Sequence, residues 1–92
     1  MIRSDSSPND AATVALQALS FTLNNPLLTG RLVDVTGLTP DDLRGRLGEP
    51  AVLAAVLTFL EGHEPDLLAC AEALNTTPAA LVAARGALEA TA

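Results

Sequence analysis

The chain has 92 residues, of which 11 are acidic and five are basic, so its formal net charge at pH 7 is −6. A chain of this length usually forms one domain and buries roughly 60 to 65% of the surface that the unfolded chain would expose. Its negative charge repels phosphate backbones and anionic lipid surfaces, so the composition argues against nucleic acid and against a membrane as partners.

Hydrophobic residues make up 49% of the chain, but Phe21 and Phe59 are its only aromatic residues. The core must therefore consist of Leu, Val and Ala side chains. Because alanine lets helix axes approach closely, this composition predicts a core without a large pocket. We do not expect an enzyme at this size and composition, and the sequence contains no recognisable motif for a catalytic site, a cofactor or a metal.

Cys70 is the only cysteine, so no internal disulfide can form. The segment from Met1 to Asp10 contains no apolar run of the kind found in signal peptides. The longest apolar stretch, Ala51 to Leu60, is much shorter than the roughly 20 residues needed to span a bilayer. We therefore expect a cytoplasmic protein.

Six prolines lie where helices can begin, since proline at the first helical position loses no hydrogen bond. They are Pro8, Pro26, Pro40, Pro50, Pro65 and Pro78. Residues 1–7 contain three serines and no periodic apolar pattern. This pattern predicts a disordered N-terminal lead-in, followed by a single helical domain over residues 8–92.

The apolar spacing predicts the helices in chain order. The first runs from Pro8 to Leu23 and is apolar apart from one polar stripe, so we expect it to be central. The second runs from Pro26 to Val35, with Asn25 as its cap and Gly37 at its end. The third is short, from Asp41 to Leu47, with acidic residues in its first turn.

A fourth predicted helix, from Pro50 to Glu61, carries apolar residues at i, i+3, i+4 and i+7 and should be the most buried. Pro65 and Pro78 begin two further helices, and Thr77 precedes the second of them as a cap. The predicted fold class is all-α, a compact bundle of five to six short helices with helix-turn-helix-like helix pairs.

Residues 37–43 and 75–81 share one turn pattern, in which Gly or Asn is followed by Thr, Pro and an apolar Leu. The similarity indicates either a duplicated helix pair or the same capping chemistry used twice. Capping chemistry is the favoured interpretation, because only Thr, Pro and Leu are identical between the two segments.

The segment from Leu67 to Leu88 has the spacing of a helix-turn-helix unit, with small Ala71, turn residue Asn75 and capping Thr77. Asparagine is one of the few residues that tolerate the left-handed turn conformation. A DNA-reading helix, however, needs side chains that reach bases or phosphates, and the second helix offers mainly alanine, valine and Arg85. A structural helix pair is therefore favoured over a nucleic-acid site.

Two weaker groupings have structural interpretations that are favoured over chemical ones. His63 lies among Glu61, Glu64 and Asp66, which could ligate a divalent metal, but the four crowd one helix junction and fit a solvated loop better. Cys70 with His63 could form a thiol and base pair, but Cys70 lies on an apolar stripe, as a buried small hydrophobe would.

Four segments resemble a family of small bacterial all-helical proteins known only as a domain of unknown function. The segments are Asn25–Leu28, Thr36–Arg44, Val52–Leu60 and Cys70–Ala73, and the resemblance extends over nearly the whole chain after its first ten residues. The resemblance implies an all-helical fold. It implies no activity, so no catalytic residue can be transferred to this chain.

The preferred hypothesis from the sequence is a small interaction or regulatory module that docks helices through an apolar groove. The first and fourth predicted helices are apolar almost all round, and their short neighbours are not expected to cover both. The partner is either another protein or a second copy of the chain. The alternative hypothesis is a helix-turn-helix regulator that binds nucleic acid through residues 67–88.

Overall fold

The computed structural model describes residues 8–91, in which six helices and no strands occur. This confirms the predicted all-α fold class. The helices are α1 (Pro8–Leu23), α2 (Pro26–Thr36), α3 (Pro40–Gly45), α4 (Pro50–Glu61), α5 (Glu64–Ala73) and α6 (Pro78–Thr91). The predicted disordered lead-in over residues 1–7 lies outside the described residues.

The helix starts follow the local chemistry of the sequence. A proline occupies the first or second position of each of α2 to α5, and α1 and α6 also begin at prolines. At the start of α2, the side chain of Asn25 accepts hydrogen bonds from the N–H groups of Leu27 and Leu28. At α3, Thr39 and Asp42 bond to each other's backbone N–H groups and form a capping box.

The helix ends are less uniform than their starts. Gly37 ends α2 in the left-handed conformation, with φ 75°, and its N–H donates to the carbonyl oxygen of Val33. The predicted end of α3 at Leu47 is wrong, because the helix stops at Gly45. The N–H of Arg46 donates to the nearby carbonyl of Leu43, which closes the last turn tightly before the chain turns toward α4.

The two segments with a shared turn pattern have a shared local structure. Gly37 and Asn75 are the residues with positive φ among residues 8–91, at 75° and 57°. Two residues after each of them lies a threonine, Thr39 or Thr77. Its hydroxyl accepts a hydrogen bond from the backbone N–H three residues later. Leu43 and Leu81 are then fully buried. Both interpretations of the shared pattern, a duplicated helix pair and one capping chemistry used twice, predict this local structure.

The core is built mainly by α1, α4 and α6, which pack most extensively against one another. Alanines at their contacts, including Ala15, Ala18 and Ala84, are buried and permit close approach of the helix axes. α4 buries six of its 12 residues, as expected of the most buried helix. The central role of α6 was not predicted from the sequence, because that role depends on its packing against α1 and α4, which lie far away in the chain.

A second apolar cluster attaches α2 and α3 to this core. It consists of Leu19, Leu32, Leu43, Val52 and Val56. Phe59 packs against both clusters, so one half-buried aromatic ring joins them. The predicted polar stripe of α1 is exposed along its described length, whereas Thr22 is buried and its hydroxyl donates to the carbonyl oxygen of Ala18 at 2.9 Å.

No single helix in residues 8–91 has both the length and the apolar character to cross a bilayer; α5 and α6 meet that requirement only when counted together, across a bend of 98°.

Truncating the centre of α4 tests the core. Leu57 is fully buried, so Leu57→Ala should lower the free energy of unfolding by about 3 kcal/mol through lost contacts and the cavity left behind. Leu27→Ala is the matched control, because Leu27 is 81% exposed and should contribute less than about 0.5 kcal/mol. Urea unfolding followed by circular dichroism measures both, and equal losses would contradict the assigned core.

Substitution of two glycines, one inside α2 and one at its end, tests the left-handed conformation at Gly37. Gly37→Ala should destabilise the protein by about 1 to 2 kcal/mol, because a Cβ is strained at φ 75° whatever the space around it. Gly30→Ala lies inside α2 with open space around the new Cβ, so it should stabilise the protein by up to about 1 kcal/mol. Thermal melts of the two variants should therefore shift in opposite directions, and shifts of the same sign would refute this assignment.

Candidate functional site

An open groove with a volume of about 810 Å³ lies between α2, α4 and the C-terminal part of α6. We call it the α2–α4 groove. Residues of α4 and the turn after it form its floor, residues of α2 form one wall, and Glu89 of α6 borders it. The expectation of no large pocket is therefore wrong for this face of the molecule, because small side chains bring helices together only where a second helix packs on them.

The floor of the groove follows one face of α4 over about three turns. Its residues are Ala51, Ala54, Ala55, Thr58, Phe59 and Gly62. They recur at the spacing of neighbouring helix turns and extend for about 16 Å at 1.5 Å per residue. Apart from Phe59, which is half-buried and packs against both apolar clusters, these side chains are small, so this face of α4 is recessed between its neighbours. The opposite face of the same helix holds the core residues Leu53 and Leu57.

The α2 wall presents an aliphatic side chain to the groove. Leu32 is fully buried and packs into the second apolar cluster, which fixes the rotation of α2. Val35, one turn later, is 70% exposed and lines the groove. Arg31 and Asp34 line it from the same helix, so the α2 wall is apolar at Val35 and charged at its edge.

One end of the groove is closed by a cluster of charged side chains. The Arg31 guanidinium donates to Oδ2 of Asp66, and Nδ1 of His63 lies 2.7 Å from the same oxygen. The Arg31–Asp66 pair joins α2 to the first turn of α5. Sequence reasoning assigned Asp66 to a local acidic group and missed this pair, because its partner lies 35 residues away in the chain.

A second set of ion pairs lies where α6 meets α4. Nε of Arg85 donates to Oε2 of Glu61 at 2.5 Å, and its Nη1 donates to Oε1 of Glu89 at 2.6 Å. The hydrogen bond to Glu61, followed by the charges of both carboxylates, raises the pKa of Arg85 above its usual value. Arg85 is therefore a charged group already held by two acids.

The acidic group around His63 is dispersed in the structure. Glu61 points to Arg85, whereas Asp66 binds Arg31 and contacts His63. Within residues 8–91, no group of three or more His, Cys, Asp and Glu side chains could hold a metal ion. Glu64 and Asp66 lie in the first turn of α5, where the helix dipole favours negative charge.

The predicted helix-turn-helix geometry is present between α5 and α6. The two helices meet at 98°, within the range of such units, and Asn75 occupies the left-handed turn position. However, α6 is a core helix that buries Leu81, Ala84 and Leu88. Its other side carries small apolar side chains, and its one arginine is bound by Glu61 and Glu89.

Cys70 is fully buried in the main core cluster, as the sequence predicted. Burial raises the pKa of its thiol to about 11, so it stays protonated near neutral pH. His63 is half-exposed at the end of the groove, and no hydrogen bond among the described residues joins it to Cys70. The structure therefore does not place these two residues as a nucleophile and base.

The burial of Cys70 can be measured by its reaction with a thiol reagent. The pKa of about 11, against 9.0 for a free thiol, implies that the folded protein reacts at least about a hundredfold more slowly at pH 8 than the urea-unfolded chain. Because the unfolded thiol ionises first, the free energy of unfolding should decrease as pH rises from about 9 toward 11.

Cys70→Ala is the control for this pH dependence, because it removes the thiol and should flatten the decline. Equal labelling rates in the folded and unfolded states would show that the thiol is accessible.

Comparison with known proteins identifies a family for this chain. The sequence profile of a family described as protein of unknown function (DUF3572) matches residues 8–91, which include all six helices. No curated protein and no solved structure matches the chain. The resemblance seen in the four sequence segments is thereby confirmed, and the chain belongs to the DUF3572 family of proteins of unknown function.

Proposed function

We propose that this protein is an interaction module that receives a helix of another protein in the α2–α4 groove. The observation that carries the proposal is the open groove of about 810 Å³, whose floor follows one face of α4. Amphipathic helices commonly bind by laying an apolar face into a groove of this kind.

The shape of the groove favours a helix over a compact ligand. The floor extends for about 16 Å, which is the length of about three helical turns. At Ala51, Ala55 and Thr58 its side chains are small enough for a second backbone to approach α4 closely, and Val35 offers an aliphatic wall for the incoming side chains. A bound helix would also cover the exposed floor residues Ala51 and Thr58.

The side chains around the groove support binding better than catalysis, and we propose that the protein is not an enzyme. His63 contacts Asp66, and Glu89 is bound by Arg85. Cys70 lies in the core and does not reach the groove. The remaining lining residues, apart from Asp34 and Arg31, are aliphatic, aromatic, hydroxyl or glycine.

The nucleic-acid alternative has weaker support. The 98° bend and the turn at Asn75 fit a helix-turn-helix unit. Binding to phosphates requires several free cations, and Arg85 on the second helix is already paired with two carboxylates. The charge of −6 acts in the same direction.

A photo-crosslinking amino acid at Val35 tests the proposal in living host cells. Leu27 is the matched control position, because both residues are highly exposed aliphatics of α2 and only Val35 lines the groove. We expect the probe at Val35, but not at Leu27, to form an adduct whose attached peptide maps to an amphipathic helix of another protein. Ala55→Gln should abolish this adduct by filling the floor with a neutral side chain.

Three results would overturn the proposal. They are equal labelling from the two positions, no adduct at Val35, and an adduct with a second copy of this chain or with nucleic acid. Circular dichroism and thermal melting of Ala55→Gln establish that the variant is folded, since glutamine is a good helix former and Ala55 is only half-buried.

A further inference from the structure

We infer that the helix received by the α2–α4 groove is basic, with an apolar seam flanked on both sides by lysine or arginine. This inference rests on the proposed function and names the chemistry of its partner. It is carried by the charges that surround the groove.

The charged side chains at the groove leave an excess of negative charge. Two carboxylates, Asp34 and Glu89, line the groove. Two more are connected to it through ion pairs: Asp66 binds the lining residue Arg31, and Glu61 binds Arg85, the partner of Glu89. Two guanidiniums, Arg31 and Arg85, accompany them. These four carboxylates therefore exceed the two guanidiniums by two charges.

The two arginines near the groove are already paired with carboxylates of the same chain. Arg31 is held by Asp66, and Arg85 is shared between Glu61 and Glu89. An acidic partner would have to break one of these pairs to find a cation. By contrast, Asp34 is exposed and has no ion pair among the described residues, so a basic partner could bind it at little cost.

The acids are placed to meet both flanks of a bound helix. Asp34 belongs to the α2 wall, and Glu89 borders the groove from α6. A helix on the α4 floor would bring its apolar seam to Ala51, Ala55 and Val35. Cations beside that seam would then face Asp34 on one flank and Glu89 on the other.

The same charges disfavour a second copy of the chain as the occupant. Two copies would bring together surfaces that each belong to a molecule of charge −6. Like charges opposed across an interface weaken association, whereas a basic helix would be drawn toward the groove before contact. The net negative charge of the molecule and the excess carboxylates around the groove therefore both favour a basic partner.

Two synthetic amphipathic peptides of about 18 residues test this inference. They share one leucine and alanine seam, and their flanking positions are lysine in one and glutamate in the other. We expect the lysine peptide to bind about tenfold more tightly, and its affinity to decrease as salt rises from about 50 to 300 mM. Fluorescence anisotropy measures affinity, and amide chemical shifts locate the bound peptide on the protein.

Two double variants separate the groove from net charge. Asp34→Asn with Glu89→Gln should remove most of the preference for lysine. Asp41→Asn with Glu72→Gln removes the same charge from exposed positions outside the groove lining and should leave the preference nearly unchanged. An equal effect of the two double variants would overturn the inference.

The outcomes distinguish the inference from the proposed function. If both peptides bind the natural protein equally and neither binds the Ala55→Gln variant, the groove receives helices but does not select basic ones. That result overturns the inference and leaves the proposed function standing. If neither peptide shifts the resonances of Val35 and Ala55, or if the lysine peptide binds elsewhere, both the proposed function and the inference fail.

Discussion

The packing of α4 is the constraint on which the rest of the structure depends. This helix is apolar on nearly every side and contributes six buried residues to a core that contains few aromatic side chains. Leu53 and Leu57 join it to α1 and α6, whereas Val52 and Val56 join it to α2 and α3. Because α4 contributes buried side chains to both clusters, a change in its packing affects both of them.

The groove is a consequence of that arrangement. α1 and α6 cover one side of α4, and α2 crosses it far enough to bury Leu32 but not to cover Ala51 or Thr58. A face of small residues is a poor contributor to the core, since each buries little apolar area. The same small side chains suit the docking function that we propose, because a second helix can approach them closely.

One ion pair near the groove links α2 and α5, which pack little against each other, whereas another adds to the extensive packing of α6 on α4. Arg31 and Asp66 connect α2 to α5, and Arg85 connects α6 to α4 through Glu61. Partly exposed pairs of this kind contribute little to stability. In the function that we propose, their larger effect is on recognition, since they neutralise the arginines near the groove and leave the excess carboxylates to define its charge.

The sequence by itself determined the features that depend on residues a few positions apart. Proline starts, the caps at Asn25, Thr39 and Thr77, and the left-handed turns at Gly37 and Asn75 are all settled within one helical turn. The apolar stripes likewise predicted the buried faces, including Cys70, and the missing cations on α6 were visible as composition. The end of α3 was misplaced by two residues, and the end of α2 and the starts of α3 and α5 by one residue each.

Tertiary structure alone decided the long-range ion pairs and the groove, because both depend on which helices become neighbours. The partners of Arg31 and Glu61 lie 35 and 24 residues away, so no local pattern reveals them. The groove depends on a face of α4 that α2 and α6 flank but do not cover, and both covered and uncovered faces of this helix are apolar in the sequence. Periodicity indicates which residues can be buried, whereas the packing of whole helices determines which of them remain available to a partner.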